Sequence, residues 1–454
     1  MDRRSVEELT LRESLRAPRE KSTVDGHFRF ESMQYVTTVD QAPDLNQSQF
    51  LSGRLSFETH SSWSSLRYHG DLAAGTYFKA HQDQFAVNEL YAAWRLGSTG
   101  ELSLGRKRAI WSQMDEAWNM GLWQPRLAID TLRPESQGLT GLFYESRGDR
   151  VQWMGFVTPM FVPTMGPEIR EEDGSLVPDN RWYRRPSSTQ VFNQKLNQVT
   201  YDLDVPDLEK LVRKPGGGMM LRVGDLERGL WAMTAAGLKP VNDLLLRRQI
   251  VRYTDQPLFD VKVSPDVAYH RLYSADVGYA WEKLRVSASY MEDHPEEKLP
   301  DQDWSIQSLQ SVKSASVQGE WDVQSWLRRP AKIQFGHLVV TGAGITDIDS
   351  EGETEDFTLF DDRMRFTRTT YIGFEGEVAR PWARPLETKV RYLYDQDQKG
   401  SLLRTELLYY PRSTLAFVMG ADVLGVEDES YRQDGFLNQY RANDRYYGGM
   451  AYGF

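Results

Sequence analysis

An all-β chain closed as a transmembrane, antiparallel, up-and-down β-barrel is the fold class the sequence predicts, on three observations. Segments of about ten residues alternate polar and apolar side chains, the length of a tilted membrane strand. Tight turns alternate with long polar connections along the chain. The last residues, Tyr446-Tyr447-Gly448-Gly449-Met450-Ala451-Tyr452-Gly453-Phe454, form an alternating aromatic strand that runs to the final position, where chains ordinarily fray.

The strand rhythm is plain in Gly53-Arg54-Leu55-Ser56-Phe57-Glu58 and in Asp276-Val277-Gly278-Tyr279-Ala280-Trp281-Glu282. Arg285–Tyr290, Tyr371–Val378 and Lys389–Tyr392 repeat it. Tight turns at Gly97-Ser98-Thr99-Gly100, Ser146-Arg147-Gly148-Asp149, Leu226-Glu227-Arg228-Gly229 and Tyr410-Pro411-Arg412-Ser413 fall after every second strand. Between them lie longer connections: 112–137, 163–215, 241–265, 293–308, 343–365 and 427–443. Counting in this way gives an even number, about 18 strands, over 25–454, with both ends on the short-turn side. Region 241–271 has the faintest strand pattern. Residues 1–24 form a separate unit in which Ser5 and Glu8 make a capping box for a short helix over 5–15. Plug, rim segment and loose chain end all suit it.

Composition fits the same class. Mean hydropathy is −0.57 and no run of about 18 apolar residues is present, which excludes a helical membrane span. Aromatics make up 12% of the chain, with 13 Trp and 22 Tyr, enough for two interfacial girdles. There is no cysteine, so disulfides and thiolate metal sites are excluded. A net charge of −11 argues against nucleic acid as a partner. Met1-Asp2-Arg3-Arg4 leads into Glu-rich sequence with no apolar secretory core. A barrel reading therefore expects a mature form from which a signal has been removed.

Alternation assigns faces. Phe28, Phe30, Leu55, Phe57, Tyr68, Val277, Tyr279, Trp281, Ile372, Phe374 and Phe417 should face lipid. The charged alternates should line the lumen: Arg29, Glu31, Arg54, Glu58, Arg67, Asp71, Glu89, Arg222, Glu320, Glu375, Glu377, Lys389, Arg391, Arg404 and Glu406. A midplane Arg or Lys facing lipid would cost about 2–4 kcal/mol. Such a wall either orients solutes or braces itself with ion pairs, and its mixed signs argue against strong ion selectivity. Gly105-Arg106-Lys107-Arg108 interrupts the alternation. It reads as a strand leaving the membrane into headgroups, with a basic patch at the outer mouth as the other reading.

The long connections carry the candidate sites. Loop 112–137 is apolar and Trp-rich for a surface loop and is expected to fold inward. Asp115, Glu116, Trp118, Trp123 and Arg126 are its constriction candidates. In loop 163–215, Arg181-Trp182-Tyr183-Arg184-Arg185 suits either a surface lid or a surface that stacks on sugars. Loop 343–365 is acidic but lacks Ca²⁺-loop spacing, so no metal or other cofactor is expected. No Gly-x-Ser-x-Gly or His-Glu-x-x-His motif is present. His81 beside Asp83, and His294 beside Asp293, read as solvated loop histidines, so no enzyme activity is expected.

Taken with the strand rhythm and loop asymmetry, the terminal Gly449, Tyr452 and Phe454 resemble the assembly signal of Gram-negative outer-membrane barrels of the porin type. The resemblance spans residues 25–454. In strand number the chain is similar to OprD-like substrate-specific porins and to alginate-export barrels, and Gly105-Arg106 before a Trp-rich loop resembles the latter. An acidic-polysaccharide exporter would carry a long basic track, whereas Glu and Asp are mixed through these strands. The resemblance implies an outer-membrane location, contact with lipid and lipopolysaccharide, and handling by the barrel assembly machinery. Three function classes follow from it. They are a channel for small hydrophilic solutes, a substrate-dedicated exporter or importer, and a non-conducting barrel. The last would anchor an adhesion, motility or secretion complex through residues 1–24 and the loops.

Overall fold

A computed structural model describes residues 23–454, apart from 40–42, 61–64, 81, 149, 179, 184–185, 193, 254–255 and 355–357. The helix expected over 5–15 and the loop histidine His81 lie outside the described residues. Eighteen strands form one antiparallel sheet. The first seven are β1 (Thr23–Tyr35), β2 (Gln47–His60), β3 (Leu66–Tyr77), β4 (Gln82–Leu96), β5 (Gly100–Lys107), β6 (Leu139–Arg147) and β7 (Val151–Thr158). Next come β8 (Gly216–Asp225), β9 (Arg228–Pro240), β10 (Tyr269–Ala280), β11 (Leu284–Pro295), β12 (Val312–Asp322) and β13 (Ala331–Thr341). The last five are β14 (Arg368–Ala379), β15 (Leu386–Asp395), β16 (Gly400–Arg412), β17 (Leu415–Val426) and β18 (Arg445–Gly453). Each pairs with the next in sequence, and β1 pairs with β18, so the sheet closes on itself.

Closure begins at the chain end. Gly26 N–H donates to the Phe454 carbonyl at 3.1 Å and Phe454 N–H donates back at 2.9 Å. Along the seam Phe28 faces Tyr452, Phe30 faces Met450 and Glu31 faces Gly449. The rings of Phe28 and Phe454 lie 6.1 Å apart. Gly449 is required here, because a Cβ on it would run into the Phe30 carbonyl oxygen.

The strands expose alternate apolar side chains and bury their neighbours. β10 shows this cleanly: Tyr273, Val277 and Tyr279 are exposed, while Leu272, Ser274 and Asp276 are buried. Phe28, Leu55, Tyr68, Ile372 and Phe417 are exposed as expected of a lipid face. The rim holding both described chain ends carries the short turns, including 97–99, 148–150, 226–227 and 281–283. The opposite rim carries the long connections, with 78–81 and 396–399 as short exceptions.

Several expected loops are not loops. Within 163–215, 241–265, 293–308 and 343–365 lie seven short strands that form a second sheet beyond the barrel. Its order is Thr189–Phe192, Lys195–Leu203, Leu258–Asp266, Leu245–Arg252, Ser305–Leu309, Gly344–Asp349 and Leu359–Phe360. Lys195–Leu203 and Leu258–Asp266 run parallel and share a core of Val199, Phe259, Val261 and Val263. His294 and Asp293 belong to β11 rather than a loop.

Gly449→Ala should cost the closing seam about 1–3 kcal/mol through overpacking, lowering the folded fraction on unheated gels after refolding. Gly453→Ala, whose nearest obstacle to a Cβ is 3.7 Å away, should refold like the parent chain.

Candidate functional site

The connection 108–138 turns back into the barrel and fills its far half. Its helix α1 (Gln113–Trp118) is capped by Ser112, whose side chain accepts from Met114 N–H. It ends at Asn119 in the left-handed region, φ +48°. The helix starts against the barrel wall: the Asp276 carboxylate accepts from Gln113 N–H at 3.1 Å and Ser112 Oγ at 3.3 Å. Ser274 Oγ donates to the Trp111 carbonyl at 3.0 Å, and Gln318 Nε2 to the Gln113 carbonyl at 3.3 Å. These partners sit on the buried alternates of β10 and β12, so the helix lies inside the barrel.

The segment brings its own apolar core. Trp111, Met114, Trp118, Leu122 and Trp123 are buried against Phe143, Met154, Phe156, Leu272, Met291, Leu338, Tyr371 and Leu402 of the surrounding wall. Trp111 stacks on Trp123 at 5.3 Å and meets Phe156 edge-on at 4.8 Å. Trp118 meets Tyr371 edge-on at 5.1 Å. Phe436 and Leu437 of loop 427–444 and Met364 of loop 342–367 extend this core toward the far rim.

The constriction candidates are thus inside the barrel, but Asp115, Trp118, Trp123 and Arg126 are buried rather than lining an opening. Glu116 is half-buried. Asp115 holds the chain reversal after α1 by accepting from Leu122 N–H at 3.0 Å and Trp123 N–H at 3.1 Å. Burial pushes its carboxyl above the usual range, against those two hydrogen bonds. Arg126 donates to the Asn119 carbonyl at 2.5 Å.

Three groups of charges cover the inner wall. Beside the seam, Arg29 meets Glu31 at 2.6 Å and Glu406 at 2.8 Å. Arg133 of the inward segment reaches Glu31 at 3.1 Å and Asp422 at 3.4 Å. Arg445 joins Asp422 and Asp130, each at 2.8 Å, and Arg404 lies 3.6 Å from Asp422.

On β2–β7, Arg54 Nε donates to Asp71 at 2.6 Å, and Arg108 reaches Asp71 and Glu89 at 3.3 Å. Arg67 bridges Glu58 at 3.2 Å and Glu101 at 2.7 Å, while Lys107 pairs with Glu145. Arg222 donates to Gln152.

On β12–β15, Lys332 meets Glu320 at 3.2 Å and Glu375 at 3.3 Å, and Lys389 lies 3.8 Å from Glu375. Arg391 stacks 4.0 Å over Tyr371. Glu377 pairs with Arg380 at the short-turn end.

Two expectations change. Arg106, Lys107 and Arg108 face neither headgroups nor the outer mouth. Pairing continues through Gly105 without a shift, and their side chains turn to Gln137, Glu145 and Glu89. Arg181 and Trp182 are not free to stack on sugars, because both are buried at the far rim. Arg181 donates to the Thr37 and Ala442 carbonyls at 2.8 and 2.6 Å and lies 4.4 Å over Tyr35, tying three loops together. Arg184 and Arg185 lie outside the described residues. Among the histidines, His270 is buried against Asp293 at 2.8 Å, and Arg363 holds the other carboxylate oxygen. No local signal marks this triad, whose members are distant along the chain.

A closed sheet of 18 antiparallel strands, apolar outside and charged within, is a β-barrel of the transmembrane kind. No family model and no curated protein matches the chain. Among solved structures it is similar to Acinetobacter baumannii OccAB4, with 10% identity over 96% of this chain and 98% of that one, TM-score 0.48. It is also similar to Salmonella typhi OmpF in complex with daunomycin, with 10% identity over 95% and 97%, TM-score 0.42. The outer-membrane protein OmpT of Vibrio cholerae in trimer form gives 11% identity over 96% and 99%, TM-score 0.42.

Trp118→Ala should cost the inward segment about 3–5 kcal/mol through the cavity it leaves. Hydrogen exchange over 111–123 should accelerate while β1 and β18 stay protected.

Proposed function

We propose that this protein is an outer-membrane channel for small hydrophilic solutes, narrowed by the inward segment 108–138. The observation that carries this reading is the solvent exposure of the inner wall. The side chains of Glu320, Glu375, Lys389 and Arg404 are 27–36% exposed, although they alternate with lipid-facing residues. A wall kept only for bracing would bury these charges in pairs, as the Arg54–Asp71 side of the barrel does. Water therefore reaches the lumen face from β12 to β16 beside the segment. Mixed signs along this face favour weak ion selectivity. The pore-lining assignment applies best to these residues together with Arg391 and Glu406. An outer-membrane position would set lipopolysaccharide against the long-loop rim, and would present Tyr452 and Phe454 to the assembly machinery.

A second reading, a non-conducting barrel that anchors an envelope complex, is supported by the apolar core of Trp111, Trp118 and Trp123. The seven-stranded sheet beyond the far rim would then be the docking surface.

Conductance in planar bilayers separates the two readings. The folded chain should give small discrete steps, and Trp118→Ala/Trp123→Ala should give larger ones. A correctly folded barrel that conducts in neither form would leave the anchoring role.

A further inference from the structure

Two adjacent turns on the short-turn rim present tryptophans that neither the lumen nor the strand faces use. Trp382, in the turn 380–385 between β14 and β15, is 85% exposed, and Trp326, in the turn 323–330 between β12 and β13, is 68% exposed. Because β13 pairs with β14, these turns are neighbours around the rim. Each indole leans edge-on against an aromatic residue outside the lumen. Trp326 meets Trp321 at 4.6 Å and Trp382 meets Tyr409 at 6.3 Å. Trp321 and Tyr409 alternate with the inward Glu320 and the buried Leu408, so both indoles sit on the outer side of the rim.

Arginines surround these two rings. Arg328 and Arg329 follow Trp326, Arg380 and Arg384 flank Trp382, and Arg412 ends β16 at the next turn of the rim. Arg329 donates to the Val378 carbonyl and so ties the first two turns together. Arg380 is held by Glu377. Arg328, Arg384 and Arg412 are exposed, and among the described residues none of the three makes an ion pair. The backbone is committed to this display: Arg328, Trp382 and Ala383 lie in the left-handed region at φ +55°, +50° and +63°. Each costs about 1 kcal/mol for a non-glycine residue.

We propose that this rim sector binds the headgroup of an anionic glycerophospholipid in the periplasmic leaflet. Indoles favour the boundary between acyl chains and water, and Trp326, Leu327 and Trp382 supply that layer. Guanidinium groups match phosphate oxygens two at a time. Arg328, Arg384 and Arg412 stand where the phosphates of lipids packed against β12–β17 would lie. The charge is complementary to a negative leaflet, which draws basic groups at the membrane surface. The proposal rests on the outer-membrane placement of the barrel and is independent of whether it conducts.

Native mass spectrometry of the full chain, released from micelles carrying equal amounts of phosphatidylglycerol and phosphatidylcholine, tests it. Phosphatidylglycerol adducts should survive activation that strips phosphatidylcholine. Arg328→Gln/Arg384→Gln/Arg412→Gln should reduce their retention by about tenfold or more, with unchanged heat-modifiable migration showing that the barrel is folded. Arg170→Gln/Arg213→Gln, on the opposite side of the barrel, should leave the adducts intact. Equal retention of the two lipids, or undiminished phosphatidylglycerol in the triple variant, overturns the proposal and favours a soluble acidic partner. Displacement of phosphatidylglycerol by excess inorganic phosphate overturns it in favour of a free-phosphate site.

Discussion

Everything in this molecule depends on the pairing of its first strand with its last. A strand edge in hydrocarbon leaves each backbone group without water, at a cost of several kcal/mol apiece. The only remedy is a partner, and β18 provides it for β1 from His27–Gly453 to Tyr35–Arg445. Register fixes much else. A slip of one residue would turn Phe28 and Phe30 inward and set Arg29 and Glu31 against lipid. It would also separate Gly449 from the Phe30 carbonyl, against which only a residue without a Cβ fits.

With the sheet closed, the interior inherits a problem of charge. Strands that alternate must place something inward, and here they place acids and bases in mixed order. Where the inward segment lies close, these charges are dehydrated and answer one another: Arg54 with Asp71, Lys107 with Glu145, Arg445 with Asp422. Breaking such a buried pair on one side is costly, because the survivor stays desolvated. Along β12–β16 the same kind of residue is also paired, but Glu320, Glu375 and Lys389 keep part of their surface exposed.

The strand rhythm, the turn spacing and the aromatic ending were legible because period-two alternation and Gly-rich turns are local signals. The inward fold of the connection after β5 was legible too, since Trp111, Trp118 and Trp123 could not all remain in water. The second sheet was not. Alternation over Phe259–Val263 is only five residues long, within the region of faintest pattern, and nothing local says that its partner is a neighbouring loop rather than the barrel. Burial of Asp115 and Arg181 was equally hidden, because Asp115 answers to the reversal of the chain after α1 and Arg181 to backbone groups of two other loops. The displays of Trp326 and Trp382 depend on left-handed residues that carry no glycine to announce them.

The inward segment is fastened unequally at its two ends. Asp130 and Arg133 are riveted across the seam to Glu31, Asp422 and Arg445, so withdrawing that end would strand several buried charges at once. The end around α1 is held by Asp276, Ser274 and Gln318, by Asn242 on the Gly121 and Leu122 carbonyls, by Arg365 on the Asn119 carbonyl, and by apolar contact. Its three indole N–H groups find no acceptor among the described residues, a weakness of about 1–3 kcal/mol each. Removing the segment would strand charge at one end and bare an apolar core at the other, so it is a built part of the interior rather than a removable cork.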